Sequence, residues 1–180
     1  MAAMETTRRR VAIAGIVTDA VTGRGLAGAI VKITAKNLQA VTRNDGSYFF
    51  TDLGAGKYTL NAAAPDQGSR YGAVKITNVI VQNAADNRPV FDGKANVALP
   101  PTRVSGTVKR SSDGKPLQGV AVKIRGSEAK TVTDENGKYL LTGFHAGAPT
   151  VEASGAGYAA AARKATLTAG AESIADFSLS

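Results

Sequence analysis

The chain of 180 residues contains no cysteine, no tryptophan and a single histidine. Without cysteine it has no disulfide framework, no thiolate metal site and no thiol nucleophile. His145 is therefore the one candidate base for a histidine-dependent catalytic triad, and a histidine-rich metal site is excluded. No run of about 18 apolar residues occurs, so no membrane span is predicted. This composition argues against an enzyme, and we expect no catalytic residues, no cofactor and no metal.

The positive charge is spread along the chain. The net charge of +8 divides into +2 for residues 1–10, +3 for residues 11–100 and +3 for residues 101–180. Because nucleic-acid binders usually gather Lys and Arg on one face, we do not expect a nucleic-acid partner. Arg8, Arg9 and Arg10 predict a flexible basic arm over residues 1–10, either solvated or docked on an acidic partner.

The first residues do not form a secretory signal, because no apolar segment of 7–15 residues precedes a cleavage site. The expectation is synthesis in the cytoplasm, followed either by retention or by release by another route, for example within a particle. The final compartment is left open.

The strongest signal in the sequence is an internal repeat. Shifted by 91 residues, residues 11–61 align with 102–152 without a gap and share 16 identities in 51 positions. Most of the matched positions are turn glycines or alternating apolar residues, which are the positions that a fold requires. The sequence therefore predicts two copies of one domain.

Each copy is patterned as β-structure. Apolar residues alternate at period two, which places them on one face of a strand. Six of them are predicted to point inward, and Lys32 and Lys123 fall on the opposite, solvent-facing phase. The inward set is Ala29, Val31, Ile33, Val120, Val122 and Ile124. Asn44-Asp45-Gly46 and Glu135-Asn136-Gly137 have the composition of hairpin turns. Short strands between glycine-rich turns predict an all-β chain of two tandem antiparallel β-sandwiches.

The predicted domains span residues 11–99 and 102–180. Pro100-Pro101 forms the linker between them, and two prolines favour a stiff, extended connection. The first copy is longer, and its additional residues are expected in Asn83–Phe91.

The repeated pattern resembles the carboxypeptidase regulatory-like domain, a transthyretin-like sandwich related to Cna-B modules. The matching residues of the first copy are Gly15, Val17, Gly23, Leu26, Gly28, Val31, Ile33, Thr42, Gly46, Tyr48, Gly56 and Tyr58. Those of the second copy are Gly106, Val108, Gly114, Leu117, Gly119, Val122, Ile124, Thr133, Gly137, Tyr139 and Gly147. The resemblance implies a non-catalytic structural, adhesive or carbohydrate-contacting module, of a kind also present on phage tails and contractile injection particles.

Four motifs could carry chemistry, and each has a structural interpretation that we favour. Gly23–Gly28 matches the G-x-G-x-x-G pattern, but a β-branched run follows it where a dinucleotide fold needs a helix. His145 lies in a predicted surface loop with no nucleophile motif nearby. Asn44-Asp45 and Asp134-Glu135-Asn136 lack the spacing of a calcium loop and suit turns better.

An intramolecular crosslink of the kind found in Cna-B relatives would need Lys109, Asp176 and Glu152 of the second copy. Glu152 is out of phase with the core residue Val151 and should face solvent, so we do not expect the crosslink.

The favoured function is that of a non-catalytic structural or interaction protein, which presents two sandwiches to a protein partner, with self-association or a phage-tail-like assembly as possible settings. The alternative is a carbohydrate-binding or cell-surface adhesion module. Sugars favour exposed aromatic platforms, and Tyr71 and Tyr158 in the long loops are the candidates. Together with Arg8, Arg9 and Arg10 they form the predicted binding residues.

Overall fold

The computed structural model describes residues 10–82 and 95–180. Its contacts divide the chain into two compact units. Unit 1 consists of Met1–Asp66 and Ala73–Leu99, and unit 2 of Gln67–Gly72 and Pro100–Ser180. Arg8, Arg9 and the additional segment Asn83–Phe91 lie outside the described residues. The division at Pro100-Pro101 stays a prediction.

Unit 1 contains two sheets. The strands are β1 (Val11–Asp19), β2 (Ile30–Ile33), β3 (Leu38–Val41), β4 (Ser47–Thr51), β5 (Gly56–Ala63), β6 (Val74–Val81) and β7 (Val97–Leu99). One sheet has the order β4-β1-β7, and the other has the order β3-β2-β5-β6. A short 3₁₀ helix, Thr34–Lys36, follows β2. A 3₁₀ segment, Pro65–Arg70, follows β5 in the chain and is interrupted by non-helical backbone at Gly68 and Ser69.

Unit 2 repeats this arrangement. Its strands are β8 (Arg103–Arg110), β9 (Ala121–Ile124), β10 (Lys130–Val132), β11 (Lys138–Thr142), β12 (Thr150–Ser154), β13 (Ala161–Lys164), β14 (Glu172–Ile174) and β15 (Phe177–Leu179). One sheet has the order β11-β8-β14, with β15 also paired to β8, and the other has the order β10-β9-β12-β13. The all-β prediction is confirmed.

Most strand pairs are antiparallel, as predicted, but the last strands are not. β7 runs parallel to β1, pairing Val17 with Val97. In unit 2, both β14 and β15 run parallel to β8. Each sheet that contains the first strand is therefore mixed.

The cores form as the alternation predicts. All six residues of the inward set are buried, and Lys32 and Lys123 are exposed. In unit 2, apolar side chains from both sheets join one cluster, with Val104 and Val108 of β8 against Val122 of β9 and Val151 of β12. Burial of such side chains is the main stabilising contribution to each sandwich.

A tyrosine and a glycine form a repeated contact inside each unit. The Tyr48 hydroxyl donates to the carbonyl oxygen of Ala95, and the Tyr139 hydroxyl donates to that of Ala175. A Cβ atom on Gly15 would overlap the Ala95 carbonyl and lie 3.0 Å from the Tyr48 ring. Gly106 has the same surroundings in unit 2. The glycine is thus required because the chain and the ring approach it closely.

The predicted hairpins are corrected by the structure. β3 and β4 belong to different sheets, as do β10 and β11, so the turns at Asn44–Gly46 and Glu135–Gly137 carry the chain from one sheet to the other. Thr42 explains this course. Its buried hydroxyl donates to the Leu26 carbonyl at 2.5 Å and accepts from the Ala29 amide at 2.8 Å, which anchors the chain where it leaves β3.

Candidate binding faces

Each unit presents one outer sheet face that carries exposed apolar side chains. We define face 1 as the outer side of the β4-β1-β7 sheet, formed by Val11, Ala14, Ile16, Arg43, Phe49 and Asn96 around a depression of about 490 Å³. Face 2 is the outer side of the β11-β8-β14 sheet, formed by Thr107, Asp134, Leu140, Glu172, Ile174 and Asp176 around a depression of about 630 Å³. Residues at the alternate strand positions fill the core, which leaves these side chains outside.

Face 1 is apolar with one cation among its described residues. Ile16 is 44% exposed and Phe49 is 42% exposed. The Arg43 guanidinium lies over the Phe49 ring, 5.0 Å from its centroid, a cation–π contact. The Asn96 side-chain oxygen accepts a hydrogen bond of 3.0 Å from the Ile16 amide, which fixes Asn96 beside β1.

Face 2 combines apolar side chains with carboxylates. Leu140 is 42% exposed and Ile174 is 64% exposed. Asp176 accepts hydrogen bonds from the amide and the hydroxyl of Thr107, at 2.7 and 3.0 Å. The Ser105 hydroxyl and the Arg103 guanidinium bind Glu172, and they hold the pKa of this carboxyl below its ordinary value. Glu172 is therefore ionised and held in place at neutral pH.

Face 1 and face 2 occupy the same place in the fold but differ in charge. Arg43 and Asp134 stand at equivalent repeat positions, and so do Phe49 and Leu140. Asn96 and Asp176 accept the same backbone hydrogen bond, from Ile16 in unit 1 and from Thr107 in unit 2. The repeat has thus kept the shape of the surface and changed its electrostatics.

The binding residues predicted from the sequence lie elsewhere. Arg10 is exposed, and its amide donates to Asp52 at 3.0 Å. Tyr71 is half-buried and forms a β-bridge with Pro101 inside unit 2. Tyr158 is also half-buried, packs against the core of unit 2, and its hydroxyl accepts from Arg110 at 3.2 Å. A binding role for these residues, and for Arg8 and Arg9, stays a prediction.

His145 belongs to a polar cluster that the sequence did not reveal. Its Nδ1 lies 3.5 Å from the Ser69 hydroxyl, and its Nε2 accepts from Arg70 Nε at 3.3 Å. The Ala146 amide also donates to Ser69. Because Arg70 can only donate, a neutral His145 carries its proton on Nδ1 and cannot take one from Ser69 there. The cluster is therefore not arranged as a base and its nucleophile.

The glycine and acidic motifs have structural roles. Gly23 and Gly28 adopt positive φ, and strand β2 follows them where a dinucleotide site needs a helix. The Asp134 carboxylate accepts from the amides of Asn136 and Lys138, as Asp45 does from that of Ser47. Across the described ranges, no group of three or more His, Asp or Glu side chains is placed to hold a metal.

Glu152 is not brought together with Asp176, its partner in the crosslink considered above. Glu152 lies on the outer surface of β12, where Arg125 Nε contacts it at 2.5 Å and Lys123 Nζ at 3.4 Å. Hydrogen bonding from Arg125, with a smaller contribution from Lys123, holds the pKa of Glu152 below its ordinary value. Asp176 lies beside the opposite sheet, on face 2. The expectation that Glu152 faces solvent agrees with this geometry.

The two sandwiches are equivalent. Each has a tyrosine–glycine contact and a glycine-containing turn that carries the chain from one sheet to the other, so the chain is a tandem repeat of one β-domain. The family model for the carboxypeptidase regulatory-like domain matches residues 12–90 and 103–180. The chain belongs to this family, as the sequence pattern indicated.

Similar proteins match only parts of longer chains. Serine-aspartate repeat-containing protein D of Staphylococcus aureus (strain Newman) is 30% identical over 155 residues, covering 72% of this chain and 12% of that protein. Serine-aspartate repeat-containing protein F of Staphylococcus epidermidis is 32% identical over 165 residues, covering 72% of this chain and 9% of that protein. This chain therefore spans about an eighth or less of these relatives.

Two solved structures are similar to nearly the whole chain. The Bacillus anthracis TIE protein matches with a TM-score of 0.43 and 16% identity, over 94% of this chain and 34% of that one. The shaft pilin SpaA of Lactobacillus rhamnosus GG matches with a TM-score of 0.42 and 13% identity, over 95% of this chain and 98% of that one.

None of the helices in the described part of this chain has the length and hydrophobicity to cross a bilayer.

Proposed function

We propose that the chain is a non-catalytic structural and adhesion module that presents its sandwich faces to a protein partner within a larger assembly. The observation that carries this proposal is the pair of equivalent outer faces with exposed Ile16, Phe49, Leu140 and Ile174. Exposed apolar side chains grouped on one surface are typical of protein contacts.

The residues considered for chemistry are held in structural contacts, which supports a non-catalytic role. His145 is bound to Arg70, and the acidic turn residues are occupied by backbone amides. The aromatic candidates for sugar stacking are half-buried, and Tyr158 packs against the core. These contacts favour a protein surface as the binding target. Carbohydrate binding is the alternative, and the experiment below distinguishes the two. A phage-tail-like particle is one assembly that such a module could serve.

The test is affinity capture with the purified chain from cells that express it, compared with the variants Phe49→Ser and Ile174→Ser. We expect the wild-type chain to retain a defined protein, and at least one variant to lose it while its melting temperature is unchanged. Fractionation by size shows whether the captured protein belongs to a large particle. Saturable binding on a glycan array, with no protein retained, would replace this proposal with the carbohydrate-binding alternative.

A further inference from the structure

We propose that face 1 of one molecule docks on face 2 of a second copy of the same chain. This inference rests on the proposed function, because it names a partner for the faces described above. The chain would then associate with itself.

The apolar parts of the two faces suit each other. Face 1 offers Ile16 and Phe49, and face 2 offers Leu140 and Ile174, all more than 40% exposed. Bringing these pairs together removes apolar surface from water, which is the main driving force for protein association. Both faces are open depressions on sheets, so side chains from one can settle between those of the other.

Charge selects which faces meet. Arg43 is the charged group among the described residues of face 1, whereas face 2 carries Asp134, Glu172 and Asp176. Two cations, Lys138 and Arg103, border face 2, and Arg103 is already paired with Glu172. Within the described chain, Asp134 and Asp176 form no ion pair. Face 2 thus keeps an excess of negative charge toward an approaching Arg43.

Pairing of like faces is disfavoured on the same grounds. Two copies of face 2 would bring the unpaired Asp134 and Asp176 of each copy into one contact, and two copies of face 1 would oppose Arg43 with Arg43. Like charges placed opposite each other suppress the wrong partners. The pairing of face 1 with face 2 is therefore the arrangement that the charges allow.

The fold does not need the charge at Asp176. In unit 1 the neutral amide of Asn96 accepts the hydrogen bond that Asp176 accepts in unit 2. Asp176→Asn can therefore remove one negative charge from face 2 and keep the backbone contact.

A contact between two different faces is heterologous. Each molecule in such a contact keeps one free face, and the pair keeps one of each kind, so association continues into a chain of copies unless the rotation closes a ring. A molecule with one defective face can join such a chain of copies, but no further copy can add at its defective face.

The experiment is analytical ultracentrifugation of the purified full chain across a concentration series. We compare wild type with Phe49→Ser, which disables face 1, and with Ile174→Ser and Asp176→Asn, which alter face 2. Val41→Ser is the matched control, because Val41 is 57% exposed on β3 and lines neither depression. All four positions are at the surface, and melting temperatures confirm that each variant is folded.

We expect the mass of wild type and of Val41→Ser to rise with concentration, and Phe49→Ser and Ile174→Ser each to stay monomeric. Asp176→Asn should associate about three- to tenfold more weakly than wild type. An equimolar mixture of Phe49→Ser and Ile174→Ser should form dimers and stop, because each variant keeps the face that the other lacks.

The proposal is overturned if wild type remains monomeric, if Val41→Ser weakens association as much as the face variants do, or if the mixture of single-face variants stays monomeric. A chain that is monomeric alone but still captures a cellular protein through these faces would overturn self-docking and leave the proposed function standing.

Discussion

At the scale of single residues, the buried hydroxyl groups of Tyr48 and Tyr139 make the stability of the fold sensitive to alkali. Burial raises the pKa of both the Tyr48 and the Tyr139 phenols above the ordinary value of 10.0. In the unfolded chain these phenols ionise near their ordinary pKa, so the unfolded state loses its protons first. The contribution of these two tyrosines to the free energy of unfolding is therefore constant below about pH 10 and falls as the pH rises above it.

We expect Tyr48→Phe to flatten this loss of stability in alkali, because phenylalanine has no proton to lose. At neutral pH the same variant should be about 1 kcal/mol less stable, since the Ala95 carbonyl loses its partner. Urea unfolding at several pH values measures both effects. A variant with the same alkaline slope as wild type would show that Tyr48 does not control it.

The buried threonines Thr42 and Thr133 each bridge two backbone groups. Thr133 donates to the Leu117 carbonyl at 2.5 Å and accepts from the Val120 amide at 3.0 Å, as Thr42 does in unit 1. Valine has a similar shape but leaves both groups without a partner, so Thr42→Val and Thr133→Val should each cost about 1–3 kcal/mol. Denaturant unfolding measures the cost. Thr42→Ser keeps the hydroxyl, and it should lose clearly less stability than Thr42→Val.

At the scale of elements, the turns that cross between the sheets require glycine. Gly46 and Gly137 have φ of 82° and 70°, and a Cβ on either would press on the carbonyl of Val17 or Val108. We expect Gly46→Val and Gly137→Val each to cost more than about 1 kcal/mol, because strain and overlap add.

Gly54→Val is the control for these turn variants. Gly54 does not adopt positive φ, and a Cβ there meets no atom within 4 Å. Thermal unfolding should place this control close to wild type and both turn variants well below it. Equal melting for all three would mean that the turns tolerate a side chain.

Strand β14 is held to β8 by Glu172, which binds Arg103 and Ser105. These contacts lower the pKa of Glu172, so they stabilise the fold above the ordinary value of 4.5 and are lost as the pH falls through the lowered pKa. Glu172→Gln should make the free energy of unfolding less dependent on pH in this acid range. If the free energy of unfolding of Glu172→Gln depends on pH in the acid range as that of wild type does, other carboxylates cause this dependence.

At the scale of the whole molecule, substoichiometric Ile174→Ser should shorten assemblies of the wild-type chain. The variant can offer face 1 to a growing end but cannot accept another molecule on face 2. We expect the weight-average mass in light scattering to fall steadily as the fraction of variant rises. A mass that stays at the wild-type value in equal mixtures would argue against growth through two different faces.

The duplicated fold was predictable from the sequence because its evidence is local and repeated. Alternation placed Val31 and Val122 in the cores, and glycine positions marked the turns. The sheet crossing after Thr42 was not predictable from alternation, since it depends on a hydroxyl reaching groups 13 and 16 residues away. The faces were also missed, because exposed Phe49 and Ile174 look like ordinary strand residues until the sheets are assembled.

The parallel pairing of the last strand with the first has a mechanical consequence. In unit 1 the chain enters at the start of β1 and leaves at the end of β7, and these neighbouring strands run in the same direction. Tension along the chain therefore slides one strand past the other and loads all of their hydrogen bonds at once, instead of peeling them apart one by one. The same geometry recurs between β8 and β15, so a pull on the two ends of either sandwich loads its terminal strands in shear.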